Sequence, residues 1–141
     1  MSDDEARAIL DLCEGSKSKA FAMVESQLAV LVLRTQVVLS LSGIVITVTG
    51  FSGRAIAETS LLARICIISG LFLVLFAAAV GVGGVLRLKW LTQTIQDDIL
   101  ATLRAGIALR DRKSRSLRAA LALFIAGFGL YCTAIAQLLA R

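Results

Sequence analysis

The chain has 141 residues, 57% hydrophobic and 18% charged, with no histidine and no proline. That apolar share exceeds the roughly 45–50% of ordinary soluble domains, which argues against a soluble enzyme or a disulfide-stapled secreted domain. Lys and Arg outnumber Asp and Glu by 15 to 10, and the cations are spread unevenly along the chain.

The apolar excess lies in three uncharged blocks, 35–53, 65–86 and 119–140, of 19, 22 and 22 positions. Each is close to the roughly 20 residues a helix needs to cross the hydrocarbon core. The expected fold is therefore an all-α integral membrane protein with crossings near 35–54, 64–87 and 117–140. Residues 1–34 would lead into the first crossing, 55–63 would be a short outer loop, and 88–116 a cytoplasmic amphipathic segment.

At the N-terminus, Ser2-Asp3-Asp4-Glu5 has the spacing of a capping box, with Glu5 reaching back toward Ser2. A short acidic helix should follow and end near Glu14, with Gly15 as a left-handed stop. A second helix can start at Ser16 or Ser18. Phe21, Val24, Leu28 and Leu31 recur at helical spacing, and no glycine or proline intervenes before Gly43, so this helix should run unbroken into the first crossing. Arg34 at its start fits a cation that snorkels to the interface. The crossing carries Ser40, Gly43, Thr47 and Gly50 at spacings of three and four. Ser40 and Thr47 can donate to their own helix carbonyls, so their polarity does not by itself mark a water path.

The second crossing carries Gly70, Ala77, Gly81 and Gly84, and the third Ala122, Ala126, Gly129, Thr133 and Ala136. Lipid offers no hydrophobic drive for helix pairing, so close approach at small residues is the available device. The stripes can pack the three helices together, or face another subunit or a narrow pore. Tyr131 should seek a hydroxyl partner, with Ser69 or another subunit as candidates.

Between these crossings, Leu88, Leu91, Ile95, Ile99 and Leu103 form a helical apolar stripe. A hairpin turning near Ala105-Gly106 would return the chain to the membrane, giving a cytoplasmic helical bundle. An interfacial helix lying in the membrane plane, anchored by Trp90, is the alternative.

Absent chemistry narrows the function. Without histidine the commonest zinc ligand and general base are missing, and none of the ten acids lies in an uncharged block, which disfavours a cation-coupled transporter. Cys13, Cys66 and Cys132 match no CxxC spacing. Gly81, Gly83 and Gly84 spell only a superficial GxGG within an apolar helix. No catalytic, cofactor-binding or metal-binding residue is expected, and no cofactor.

Segments 1–34 and 87–118 together hold 12 of the 15 cations. The positive-inside rule places them in the cytoplasm and the C-terminus outside. Arg110, Arg112, Lys113, Arg115 and Arg118 form the strongest polar feature. This run can meet anionic headgroups, dock the acidic N-terminal helix, or receive an anionic partner, and Arg34 joins it as a candidate headgroup contact. The run is short and lacks interleaved aromatics, so nucleic acid is not an expected partner.

The stretch Ile107-Ala108-Leu109-Arg110-Asp111-Arg112-Lys113, followed by Leu117-Arg118 at the third crossing, resembles small bacterial membrane effectors of cyclic-nucleotide antiphage (Pycsar-type) signalling. Their lead-in carries an Asp before a Lys-Ala pair. Here Gly15-Ser16-Lys17-Ser18-Lys19-Ala20 keeps the pair without the Asp. The resemblance implies three crossings with a cytoplasmic helical segment, and it adds membrane disruption to the functions considered. The expected function is a non-catalytic, self-assembling or accessory subunit of a membrane complex, in a bacterial inner membrane. The alternative is an oligomeric pore or membrane-disrupting effector gated by its cytoplasmic helices. Its partners would be an anionic lipid surface and copies of itself or other membrane subunits.

Overall fold

The computed structural model describes residues 2–51, 60–86 and 99–139. Among these every regular element is a helix: α1 (Ser2–Leu12), α2 (Lys17–Phe51), α3 (Leu61–Gly84) and α4 (Ile99–Leu139). Three of them, α2, α3 and α4, are long and apolar enough to cross a membrane. At 1.5 Å per residue the 35-residue α2 is about 52 Å long, well beyond a hydrocarbon core of about 30 Å. The excess lengths of α2 and α4 project beyond the apolar zone and receive α1.

Helix α1 ends through a backbone device. The Gly15 amide donates to the Leu10 carbonyl at 2.9 Å and the Glu14 amide to Asp11 at 3.0 Å. Glu14 and Gly15 both sit at positive φ, 54° and 74°. This is the Schellman pairing, with Glu14, one residue before the glycine expected to stop the helix, taking the first left-handed position. The Ala20 amide then donates to Ser16, so Ser16 opens α2.

Helix α2 runs through the first crossing without a break. It turns Ala20, Val24, Thr35, Val38, Ser42, Val45 and Thr49 inward. Thr35, Ser42 and Thr49 donate to the carbonyls of Leu31, Val38 and Val45 at 2.7–2.8 Å, so three polar residues enter the core already satisfied. Ser42→Ala should therefore cost no more than about 1 kcal/mol, since the bond lost lies within α2 and none between helices is broken; a large drop in the thermal midpoint in detergent would contradict that reading.

Helix α3 starts three residues before the boundary expected at 64. The Ser60 oxygen accepts from the Ala63 amide and the Ser60 carbonyl from Arg64, fixing the start at Leu61. The helix ends at Gly84, where the Val85 amide closes on Gly81. Helices α3 and α4 meet backbone to backbone at Gly70 and Gly127, and Gly84 lies directly against Ser116.

The expected turn near Ala105-Gly106 does not occur. Both residues lie inside the unbroken α4, which joins the membrane-adjacent stretch to the third crossing as one 41-residue helix. No helix breaker argues otherwise, because Gly106 is a single buried glycine among good helix formers. Leu88, Trp90, Leu91 and Ile95 lie outside the described residues, as do Arg54, Glu58 and Arg87.

Two principal apolar clusters hold the unit. Val38, Val45, Val74, Ala77, Val85, Leu117 and Phe124 fill the three-helix core. Ala6, Ile9, Ala20, Val24, Leu103 and Ile107 join α1 to the projecting ends of α2 and α4. Cys13 packs beside this second cluster, as a small apolar residue would.

Candidate functional site: a polar collar at the α1 end

Arg110 occupies the inner side of α4 where α1 and α2 meet it. Its Nη1 donates to Glu5 Oε1 at 2.7 Å and its Nη2 to Glu5 Oε2 at 3.2 Å. Nη1 also donates to Gln27 Oε1 at 3.0 Å, while Nε and Nη2 donate to Asp111 Oδ1 at 3.0 and 2.7 Å. One guanidinium thus ties three helices, using the planar fork that suits arginine to a carboxylate. Of the readings open for the basic run, docking of the acidic N-terminal helix is observed at this one residue. Glu5, read in the sequence as half of a capping box, spends both oxygens on Arg110. Its partner lies 105 positions away, so no local pattern marks the pair.

Of the other cations of the run, Lys113 is partly buried, and that burial lowers its pKa below the usual lysine value; the three arginines face outward. Arg112, Arg115 and Arg118 are exposed, as is Arg34 on α2. Among the described residues Arg34, Arg115 and Arg118 form no ion pair. A groove of about 400 Å³ lies between α2 and α4, lined by Ser26, Gln27, Leu31, Arg34, Arg110 and Ser114 among others. A second groove, about 420 Å³, continues past Ser114 to Arg115 and Arg118. Together they form an open basic collar where the apolar spans begin.

The small-residue stripes divide. Gly70, Ala77 and Gly81 are buried, and with Gly84 they lie on the inner face of α3. Ser40, Gly43, Thr47 and Gly50 lie on the outside of α2, and Ala122, Ala126, Gly129, Thr133 and Ala136 on the outside of α4. A Cβ added to Gly43, Gly50 or Gly129 would meet nothing within 4 Å. The α4 face that packs inward instead carries Ala120, Phe124, Gly127, Tyr131 and Ala134. The glycine in contact with α3 is Gly127, not Gly129. Both stripes have the same three-four spacing, and only the partner helix distinguishes them.

Thr47 and Thr133 donate to the carbonyls of Gly43 and Gly129, so those hydroxyls are satisfied within their helices. Ser69 donates in the same way to Ile65 at 2.8 Å. The Tyr131 side chain packs beside Ile67 and Ala134. All three cysteines are free thiols, Cys132 exposed and Cys66 partly buried. Among the described residues no three acids or cysteines gather into a metal-binding group.

The fold and its collar define an all-α membrane protein whose three long helices share a small extramembrane cap. Comparison with protein-family models, with characterised proteins and with solved structures finds no match.

Proposed function

We propose that the chain is a non-catalytic, self-assembling or accessory subunit of a membrane complex. Its N-terminus and collar would lie in the cytoplasm of a bacterium and its C-terminus outside the inner membrane. The 12 cations of segments 1–34 and 87–118 support that orientation. The assembly reading is carried by one observation: Gly43, Gly50 and Gly129 stand on outer faces with open space above them. Gly70 and Gly127 already provide the close approach inside the unit, so the outer glycines serve no contact within it. In lipid, such faces let a second backbone approach closely.

Gly43→Leu with Gly50→Leu tests this. Since neither glycine touches its own unit, the monomer should keep its thermal midpoint. Association should weaken about tenfold, the scale of one helix–helix contact in a membrane. Native mass spectrometry of protein gently extracted from its own membrane reads the subunit composition. An unchanged assembly would remove α2 from the interface.

The second reading, an oligomeric pore or membrane-disrupting effector, draws on the Arg110 clasp, which gives the extramembrane helices a releasable connection to α4. Homo-oligomers that raise the conductance of a planar bilayer would favour it. A tight bilayer with foreign subunits at fixed stoichiometry would favour the accessory role.

A further inference from the structure

Arg34 belongs to a stripe on α2 that reads Val30, Arg34, Val37, Leu41, Ile44 and Val48, at spacings of four and three. All six are exposed. Arg118 heads a comparable stripe on α4, followed by Leu121, Ile125 and Phe128, also exposed. Helical periodicity therefore puts one arginine in each row at its collar end, Arg118 first in its row and Arg34 second after Val30. The rows flank the seam where α2 packs on α4 through Val38, Val45, Leu117 and Phe124. Phe128 stacks on Phe124 one turn earlier, their near-parallel rings 6.0 Å apart between centroids.

The collar grooves cap the seam. Arg34 lines the first and Arg118 the second, and Arg110, Asp111 and Ser114 line both. The two carboxylates present, Glu5 and Asp111, are both engaged by Arg110. Arg34, Arg115 and Arg118 remain as cations without a described counter-ion. The arrangement combines a positive, hydroxyl-bearing pocket at the head of the span with an apolar valley running into the span below it.

We propose that the α2–α4 seam is a binding site for one anionic diacyl phospholipid, its headgroup phosphate held by Arg34 and Arg118 in the collar and an acyl chain lying in the valley. A soluble phosphate would use the collar and leave the apolar rows idle. A zwitterionic lipid would use the valley and leave the net positive charge unmatched. Only an anionic lipid matches both parts, and basic pockets between membrane helices commonly receive such headgroups. Arg110 takes no part in holding the ligand, because its donors are already committed. This site does not rest on the assembly reading.

The test is native mass spectrometry of the full chain in non-ionic detergent with palmitoyl-oleoyl phosphatidylglycerol or phosphatidylcholine added in equal amount. Phosphatidylglycerol adducts should survive activation that strips phosphatidylcholine. Each cation near an anionic headgroup contributes about fivefold, so Arg34→Gln with Arg118→Gln should weaken phosphatidylglycerol retention about 30-fold. Arg7→Gln with Arg112→Gln removes the same charge from exposed positions outside the grooves and should change retention far less. Glycerol 3-phosphate, a chainless headgroup, should fail to displace the lipid. Equal retention of the two lipids, equal loss in the two double variants, or displacement by glycerol 3-phosphate would each overturn the proposal. So would a change in oligomer mass without a change in lipid retention, which would put a second copy in the seam. Unaltered thermal midpoints in both double variants confirm that the comparison is between folded proteins.

Discussion

Gly127→Ala should lower the stability of the three-helix unit by about 3 kcal/mol, at the upper end of ordinary overpacking costs. The added methyl would stand 2.7 Å from the Gly70 carbonyl oxygen, 2.9 Å from Leu73 Cβ and 3.0 Å from the Val74 amide nitrogen. Two of these three are backbone atoms of α3, so no side chain can rotate away, and relief requires the helices to separate along the contact. Separation forfeits the dispersion contacts that hold helices together in lipid, where no hydrophobic term replaces them. Gly70→Ala should behave alike, since its methyl would meet the Gly127 carbonyl oxygen at the same 2.7 Å. Two residues along α4, Gly129→Ala should do the opposite. That position is open, so the monomer should gain up to about 1 kcal/mol of helix propensity. Thermal unfolding in detergent, or titration with a denaturing detergent, compares the variants. Similar midpoints for Gly127→Ala and Gly129→Ala would refute the Gly70–Gly127 contact.

The contrast between those neighbouring glycines shows where the sequence is informative. Three crossings, the left-handed stop at Glu14-Gly15 and the continuity of α2 follow from uncharged length, glycine placement and the absence of breakers. These are local properties, fixed by a few adjacent residues. Facing is different. On a soluble helix the buried side is the apolar side, but a membrane helix is apolar all round. On α2, Ser40-Gly43-Thr47-Gly50 and Thr35-Ser42-Thr49 both offer small or weakly polar residues at helical spacing. The second set turns inward because Val38 and Val45, interleaved with it, fill the core beside Val74, Leu117 and Phe124, a fit decided by shape across three helices. Likewise the charge of the 110–118 run was legible, whereas its division was not. Arg110 turns in toward Glu5 while Arg115 and Arg118 face out, and that follows from where α1 docks. No turn forms at Ala105-Gly106, because a single glycine among good helix formers does not break a long helix.

Ile9→Asp should detach α1. Ile9 is 7% exposed and Ala6 fully buried, packed with Ala20, Val24, Leu103 and Ile107. Removing the branched side chain costs about 2–5 kcal/mol at such a site, and a carboxylate placed there has no apolar partner to accept it. An 11-residue helix is too short to persist alone in water, so undocking and unfolding of α1 should coincide. Hydrogen exchange of the α1 amides should then accelerate by two orders of magnitude or more, while the amides of α3 stay protected. Arg110→Ala should act on the same equilibrium more weakly. Glu5 is 39% exposed against 21% for Arg110, so water recovers much of what the carboxylate loses. The expected cost is about 1 kcal/mol, roughly a fivefold change in exchange, and it should shrink in high salt. The two effects should add until α1 is fully released and then saturate, because neither residue touches the Gly70–Gly127 contact. If Arg110→Ala instead accelerated exchange as much as Ile9→Asp, the ionic clasp and not the apolar seat would hold the cap, and salt alone should then be enough to open it.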